Sequence, residues 1–191
     1  MCIRDSHYFR QTKACLEFGI RPQSFTIDVT MPATKFTSNS VEQTRSLGHL
    51  VGLELTAGTV IALDGTLGAG KTHLTQGIAT GLGVPAGTVV SPTFTICIPY
   101  EARLLMLHLD AYRIKSPEEV DQLGLDESVS DGVVLVVEWA SRIEMLLPPI
   151  DLKIQLAQTA EETRELTFDP VSPVGDQLVQ RVGRDWANQS Q

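Results

Sequence analysis

The stretch Ile61-Ala62-Leu63-Asp64-Gly65-Thr66-Leu67-Gly68-Ala69-Gly70-Lys71-Thr72 restricts the fold of this chain more than any other. Residues 59–63 are an apolar run that reads as a buried strand, and the run stops at Gly65. From Lys71 a helical period sets in, with Leu74, Ile78 and Leu82 one or two turns apart and Gly81, Gly83 and Pro85 ending it. Between strand and helix lies Gly65-x-x-x-x-Gly70-Lys71-Thr72, a phosphate-binding loop without a mismatch. Glycines let the backbone turn its N–H groups toward a phosphate in dihedral regions closed to side chains. The following helix adds its positive dipole end. Lys71 supplies a fixed cation for the outer phosphates, and the Thr72 hydroxyl can ligate Mg²⁺. Gly65, Leu67, Gly68, Ala69, Gly70, Lys71 and Thr72 are therefore the candidate nucleotide-binding set.

A strand, a loop and a helix in that order call for a parallel sheet covered by helices. The rest of the chain supplies one. Residues 133–137, Val-Val-Leu-Val-Val, are the most apolar run, as expected of a central parallel strand buried on both faces. Residues 96–100 and 104–109 read as two further strands around a short turn. Residues 150–156 and 163–168 read as a terminal hairpin. Ser40-Val41-Glu42-Gln43 is a capping box, and the stripe Leu47, Leu50, Val51 and Leu53 that follows suits a helix lying on a sheet. Ser116-Pro117-Glu118-Glu119 opens a short helix; Gly124 ends it, and another spans residues 125–129. The fold class expected is α/β: a P-loop NTPase-like three-layer fold with a mainly parallel central sheet and a C-terminal antiparallel hairpin.

Residues 1–35 show no sustained period, and Met31 precedes a Ser/Thr-rich lead-in. The expected organisation is a poorly structured extension over 1–35, with 1–30 an addition or a gene-calling artefact. A P-loop ATPase domain over 36–170 and a weakly structured tail over 171–191, with one weak helix at 176–182, complete it.

Charge and cysteines narrow the function. A net charge of −8 disfavours a free-standing nucleic-acid binder, because phosphate contacts need clustered Lys and Arg and no basic run occurs. Cys2, Cys15 and Cys97 have no metal-ligand spacing and read as reduced thiols. No apolar stretch approaches the roughly 18 residues of a membrane span. The chain's start lacks a signal-peptide pattern. A cytoplasmic protein with no membrane partner is expected.

Mg²⁺ coordination in this fold class needs an acid closing an apolar strand. Asp110 and Glu138 both qualify, and the residue pattern alone does not choose between them. Thr93 and Thr95 suit either a phosphate-sensing switch or a capped turn. His108 has no second ligand at metal spacing and reads as a hydrogen-bonded structural imidazole. Arg113 reads as an ion-pair partner for Asp110.

Taken in order, Gly65-Thr-Leu-Gly-Ala-Gly-Lys-Thr72, Ser91-Pro-Thr-Phe-Thr95, His108-x-Asp110-x-Tyr112-Arg113, Leu123-Gly124 and Glu138-Trp139 resemble the TsaE family, bacterial ATPases of tRNA threonylcarbamoyladenosine biosynthesis. The resemblance covers residues 44–168. It implies binding of ATP and Mg²⁺, docking onto TsaB and TsaD, and contact with tRNA only through that complex. It also implies that Glu138 is the Mg²⁺ ligand together with Thr72, and that Asp110 is a second essential acid beside Lys71. Thr44 and Trp139 would lie near the nucleotide, with Arg164 a looser match. The family usually has Asp where this chain has Thr66, which bears on hydrolysis more than on binding.

Two other nucleotide-binding classes fit the residues less well. A P-loop small-molecule kinase would close an Arg-rich lid, yet arginine occurs only at 103 and 113 in the 60 residues after Thr72. A GTPase would need an Asn-Lys-x-Asp loop, and the only asparagines are Asn39 and Asn188. A non-enzymatic, nucleotide-gated assembly module stays open.

Overall fold

The computed structural model describes residues 32–92 and 95–189. The expectations for residues 1–30 and for Thr93 lie outside them.

Among the described residues seven strands form one sheet, in the order β1-β7-β6-β2-β5-β4-β3. They are β1 (Thr34–Ser38), β2 (Val60–Gly65), β3 (Cys97–Tyr100), β4 (Met106–Asp110), β5 (Val134–Glu138), β6 (Leu152–Gln158) and β7 (Arg164–Pro170). The centre is parallel: β2 lies between β5 and β6, and β4 flanks β5. The margins are antiparallel, with β6 and β7 forming the anticipated hairpin. The fold class read from the sequence is the one observed.

The sheet is central because its middle strands have no polar face. In β5, Val134 and Val136 enter the apolar layer on one side while Leu135 and Val137 enter the layer on the other. In β2, Ile61 and Leu63 divide from Val60 and Ala62 in the same way. Alternation over two buried faces is what a continuous run of branched residues provides.

The first layer holds α1 (Val41–Glu54), α2 (Lys71–Leu82) and α5 (Pro173–Gln189). The second holds the short helices α3 (Pro117–Asp121) and α4 (Leu125–Ser130). The Ser40 cap forms, with the Gln43 N–H donating to Ser40 Oγ at 3.1 Å; the Gln43 side chain reaches back one residue further than a capping box does and accepts the Asn39 N–H at 2.7 Å. At the far end of α1 the Arg103 guanidinium donates to the carbonyls of Gly52, Leu53 and Leu55, taking up acceptors a helix end leaves open.

Helices α1 and α2 touch backbone to backbone. A Cβ placed on Gly52 would overlap the Ile78 carbonyl oxygen and lie 2.8 Å from the Gly81 Cα, and Gly48 and Gly77 are in the same position. This close crossing ties the helix that follows the loop to its neighbour.

Two elements differ from the sequence reading. Strand β1 was not evident, because its single apolar residue, Phe36, carries no visible period; its place is set by pairing with β7, where Phe36 meets Phe168 edge-on at 4.7 Å. Helix α5 runs the full 173–189 rather than 176–182. Gly175 N–H donates to Ser172 Oγ at its start, Leu178, Val179 and Val182 are buried, and Trp186 packs edge-on against Phe36. That stripe stabilises a helix whose other faces are polar.

Candidate functional site

Parallel strands deliver their C-terminal ends to one edge of the sheet, and the site is assembled there. Strand β2 runs into the loop, and α2 leaves it. Gly70 adopts φ 106°, a left-handed conformation that a side chain would strain, and it caps α2 without any side-chain bond to the first turn. The N–H groups of that turn thus have no side-chain partner of the kind Ser40 provides for α1. Leu67 at the tip of the loop is exposed, Gly68 has open space around its Cα, and Ala69 is buried under the loop.

Lys71 is nearly enclosed. Its Nζ donates to the Gly65 carbonyl at 2.7 Å and the Thr66 carbonyl at 3.0 Å, and it lies 3.7 Å from the centre of the Trp139 ring. Burial pushes its pKa down, against the opposing pull of Glu138, Asp110 and Asp64. The indole is held over the ammonium by an unusual backbone: Trp139 has φ 58°, one of two non-glycine residues with a positive φ among those described. Such strain clusters at functional sites.

The two acids that the sequence could not separate stand side by side, Asp110 in register with Glu138 on adjacent parallel strands. Their surroundings differ. Glu138 is buried and accepts a hydrogen bond from Thr72 Oγ1 at 3.2 Å through Oε2, while its Oε1 lies 2.9 Å from Nε2 of the fully buried His108. Asp110 Oδ1 accepts the Tyr112 N–H at 3.0 Å and so caps the turn that follows β4. A carboxylate facing a threonine hydroxyl is the donor pair that a hard cation takes, and Glu138 with Thr72 forms such a pair. His108 is the hydrogen-bonded imidazole anticipated, held within the site's wall.

A cavity of about 230 Å³ opens here, lined by Gly68, Lys71, Thr72, Asp110, Glu138 and Trp139 among others. His73 and Ser91 also line it. Burial and the nearby Arg45 and Arg164 charges push the His73 pKa down. Thr44 is buried beside the loop, its methyl near Gly70, but its hydroxyl bonds Ser38 Oγ and the Ser40 carbonyl. Thr95 sits in a turn closed on the Pro92 carbonyl.

The sequence does not single out Asp64, and it offers Arg164 only as a looser match by resemblance. Asp64, the last residue before the loop glycine, accepts from the Ser141 N–H and from Ser141 Oγ at 2.8 Å, tying the loop to the turn beyond Trp139. Arg164, buried on β7, has its Nε without a hydrogen-bond partner and within 3.3 Å of the position a Gly70 Cβ would take. A buried donor of that kind against a phosphate-loop glycine, an uncapped helix start and a Thr–Glu pair together fit a phosphate chain with its divalent cation.

Comparison with known proteins shows the family. Residues 38–166 match the family described as "Threonylcarbamoyl adenosine biosynthesis protein TsaE". A Treponema pallidum protein named tRNA threonylcarbamoyladenosine biosynthesis protein TsaE is 39% identical over 68% of this chain and 96% of its own length. The protein of the same name from Bacillus subtilis is 38% identical over 81% of this chain and 96% of its own. The crystal structure of YdiB from Bacillus subtilis superposes with a TM-score of 0.69 at 34% identity, covering 81% of this chain and 96% of that one.

Proposed function

The chain belongs to the TsaE family of tRNA threonylcarbamoyladenosine biosynthesis, and from that premise we propose that it binds ATP with Mg²⁺ and hydrolyses it, acting with TsaB and TsaD in the cytoplasm. The observation that carries the reading is the convergence of Lys71, Thr72 and Glu138: the loop lysine, its threonine and a strand-end carboxylate within one hydrogen-bonded cluster.

Each residue then has a task. The loop N–H groups and the start of α2 receive the phosphate oxygens, and Arg164 Nε supports them from β7. Lys71 exchanges two carbonyl acceptors for phosphate oxygens, in a setting where burial strengthens a charge-assisted bond. Thr72 and Glu138 would hold Mg²⁺, which supplies neutralisation of charge on the outer phosphates. His108 fixes the Glu138 carboxylate from behind, as the outer-shell partners of ligating side chains do. Asp110 is the second acid of the same wall. The Thr66 side chain is exposed at the loop, so the substitution of the usual Asp leaves these contacts in place.

Calorimetric titration with ATP tests the reading: binding should require Mg²⁺ for full affinity, and a chain that ignores both ends it. Glu138→Ala should lower Mg²⁺-dependent turnover on the order of 100-fold, since a charged group facing the transferring phosphoryl is lost. Near-normal turnover in that variant would remove Glu138 from the site.

A further inference from the structure

A second cleft, of about 590 Å³, opens beside the nucleotide cavity and is lined by Tyr112, Arg113, Lys115, Arg142, Ile96 and Glu119 among others. Arg113 and Lys115 come from one segment and Arg142 from another, so no basic run shows in the sequence. In a chain of net charge −8 they form a local positive site. Tyr112 is 52% exposed, and three residues beyond Arg142 the Met145 side chain is 95% exposed. Arg, Tyr and Met together are the side chains enriched where proteins meet.

Two links join this cleft to the nucleotide site. The Tyr112 ring lies 5.1 Å from Trp139, whose ring covers the Lys71 ammonium, and Arg142 lies 5.5 Å from the other side of the pair, against Tyr112. The Asp110 N–H donates at 2.8 Å to the carbonyl of Ile96, a β-branched residue held at φ 65° in the cleft wall.

We propose that this cleft seats a partner protein, which enters it with carboxylate side chains and covers the exposed Tyr112 and Met145, and that the seating is felt at the nucleotide through Tyr112 and Trp139. Charge complementarity decides the class of partner. Glu119 lines the cleft, and Glu118, Asp121, Asp126 and Glu127 belong to the same two short helices, α3 and α4, a run of acids that disfavours a phosphate backbone. A protein edge with a few acids and apolar side chains meets no such penalty. The inference rests on the partner reading above and names the surface that serves it.

The test uses the full chain with the purified TsaB–TsaD pair, at two salt concentrations, and the double variant K115E/R142E. An R184E control changes an exposed cation on α5. The reversal should raise the Kd for the pair about 100-fold, an effect that shrinks at high salt, and R184E should not. ATP affinity of the double variant alone should match the wild type, while stimulation of hydrolysis by the pair is lost. Unchanged binding of the pair by K115E/R142E overturns the docking site and leaves the partner reading standing. A wild type that does not bind the pair overturns both. Loss of ATP affinity in the variant would make the cleft part of the nucleotide site, and loss of tRNA binding with the pair retained would make it a nucleic-acid site; either result overturns the proposal.

Discussion

Lys71→Ala is expected to reduce ATP hydrolysis by two to three orders of magnitude, on the order of removing one preorganised charge from a phosphoryl-transfer site. The ammonium is poised rather than free: two loop carbonyls and the Trp139 face hold it where the outer phosphates would arrive. Its position has a cost, because burial pushes its pKa down even with Glu138, Asp110 and Asp64 nearby. The folded state therefore holds this proton less tightly than the unfolded chain, so removing the group should relieve a destabilising contribution. Thermal stability of Lys71→Ala should hold or rise while activity collapses, the separation expected of a functional residue. Single-turnover hydrolysis and a melting curve on the same sample read both. Full activity, or a loss of activity that merely follows unfolding, would contradict the role.

Gly52→Ala is expected to destabilise the fold, although helix propensity predicts the reverse. In an exposed helix interior the exchange gains about 1 kcal/mol. Here the added methyl would meet the Ile78 carbonyl and lie close to Gly81, both backbone, which cannot rotate away. Overpacking of this kind costs about 3 kcal/mol, so packing wins by about 2 kcal/mol net. Gly183→Ala is the internal comparison: it lies within α5, where a Cβ meets nothing within 4 Å, and the same exchange should stabilise by about 0.5–1 kcal/mol. Urea titrations of the two variants should therefore shift in opposite directions. If both shift the same way, the backbone contact between α1 and α2 is not as described.

What the sequence discloses and what it hides divide along the range of the interactions. The loop, the helix after it and the β5 run are written in neighbouring residues, and local period and glycine spacing are enough to read them. What differs between the surroundings of Asp110 and Glu138 is not local: the Thr72 hydroxyl reaches Glu138 across 66 positions, a contact made only when β2 and β5 pair. The fold class was legible because two strands, β2 and β5, are apolar on both faces. Strand β1 was not, because one phenylalanine among polar residues becomes a strand only when β7 offers its edge. The positive φ of Trp139 leaves no trace in residue type, since tryptophan is not a residue that favours it. The cationic cleft escaped for a similar reason, its charges being 27 residues apart between Lys115 and Arg142.

The two outermost described strands, β1 and β3, bear on how the molecule behaves at high concentration. Both are short, five and four residues, and an exposed sheet margin is where like chains stack into fibrils. Strand β3 carries Pro99, which offers no amide proton to an incoming chain, and β1 carries Lys35, whose charge is 65% exposed even while paired with Glu165. The lateral borders of the described sheet are thus poor templates for a second copy.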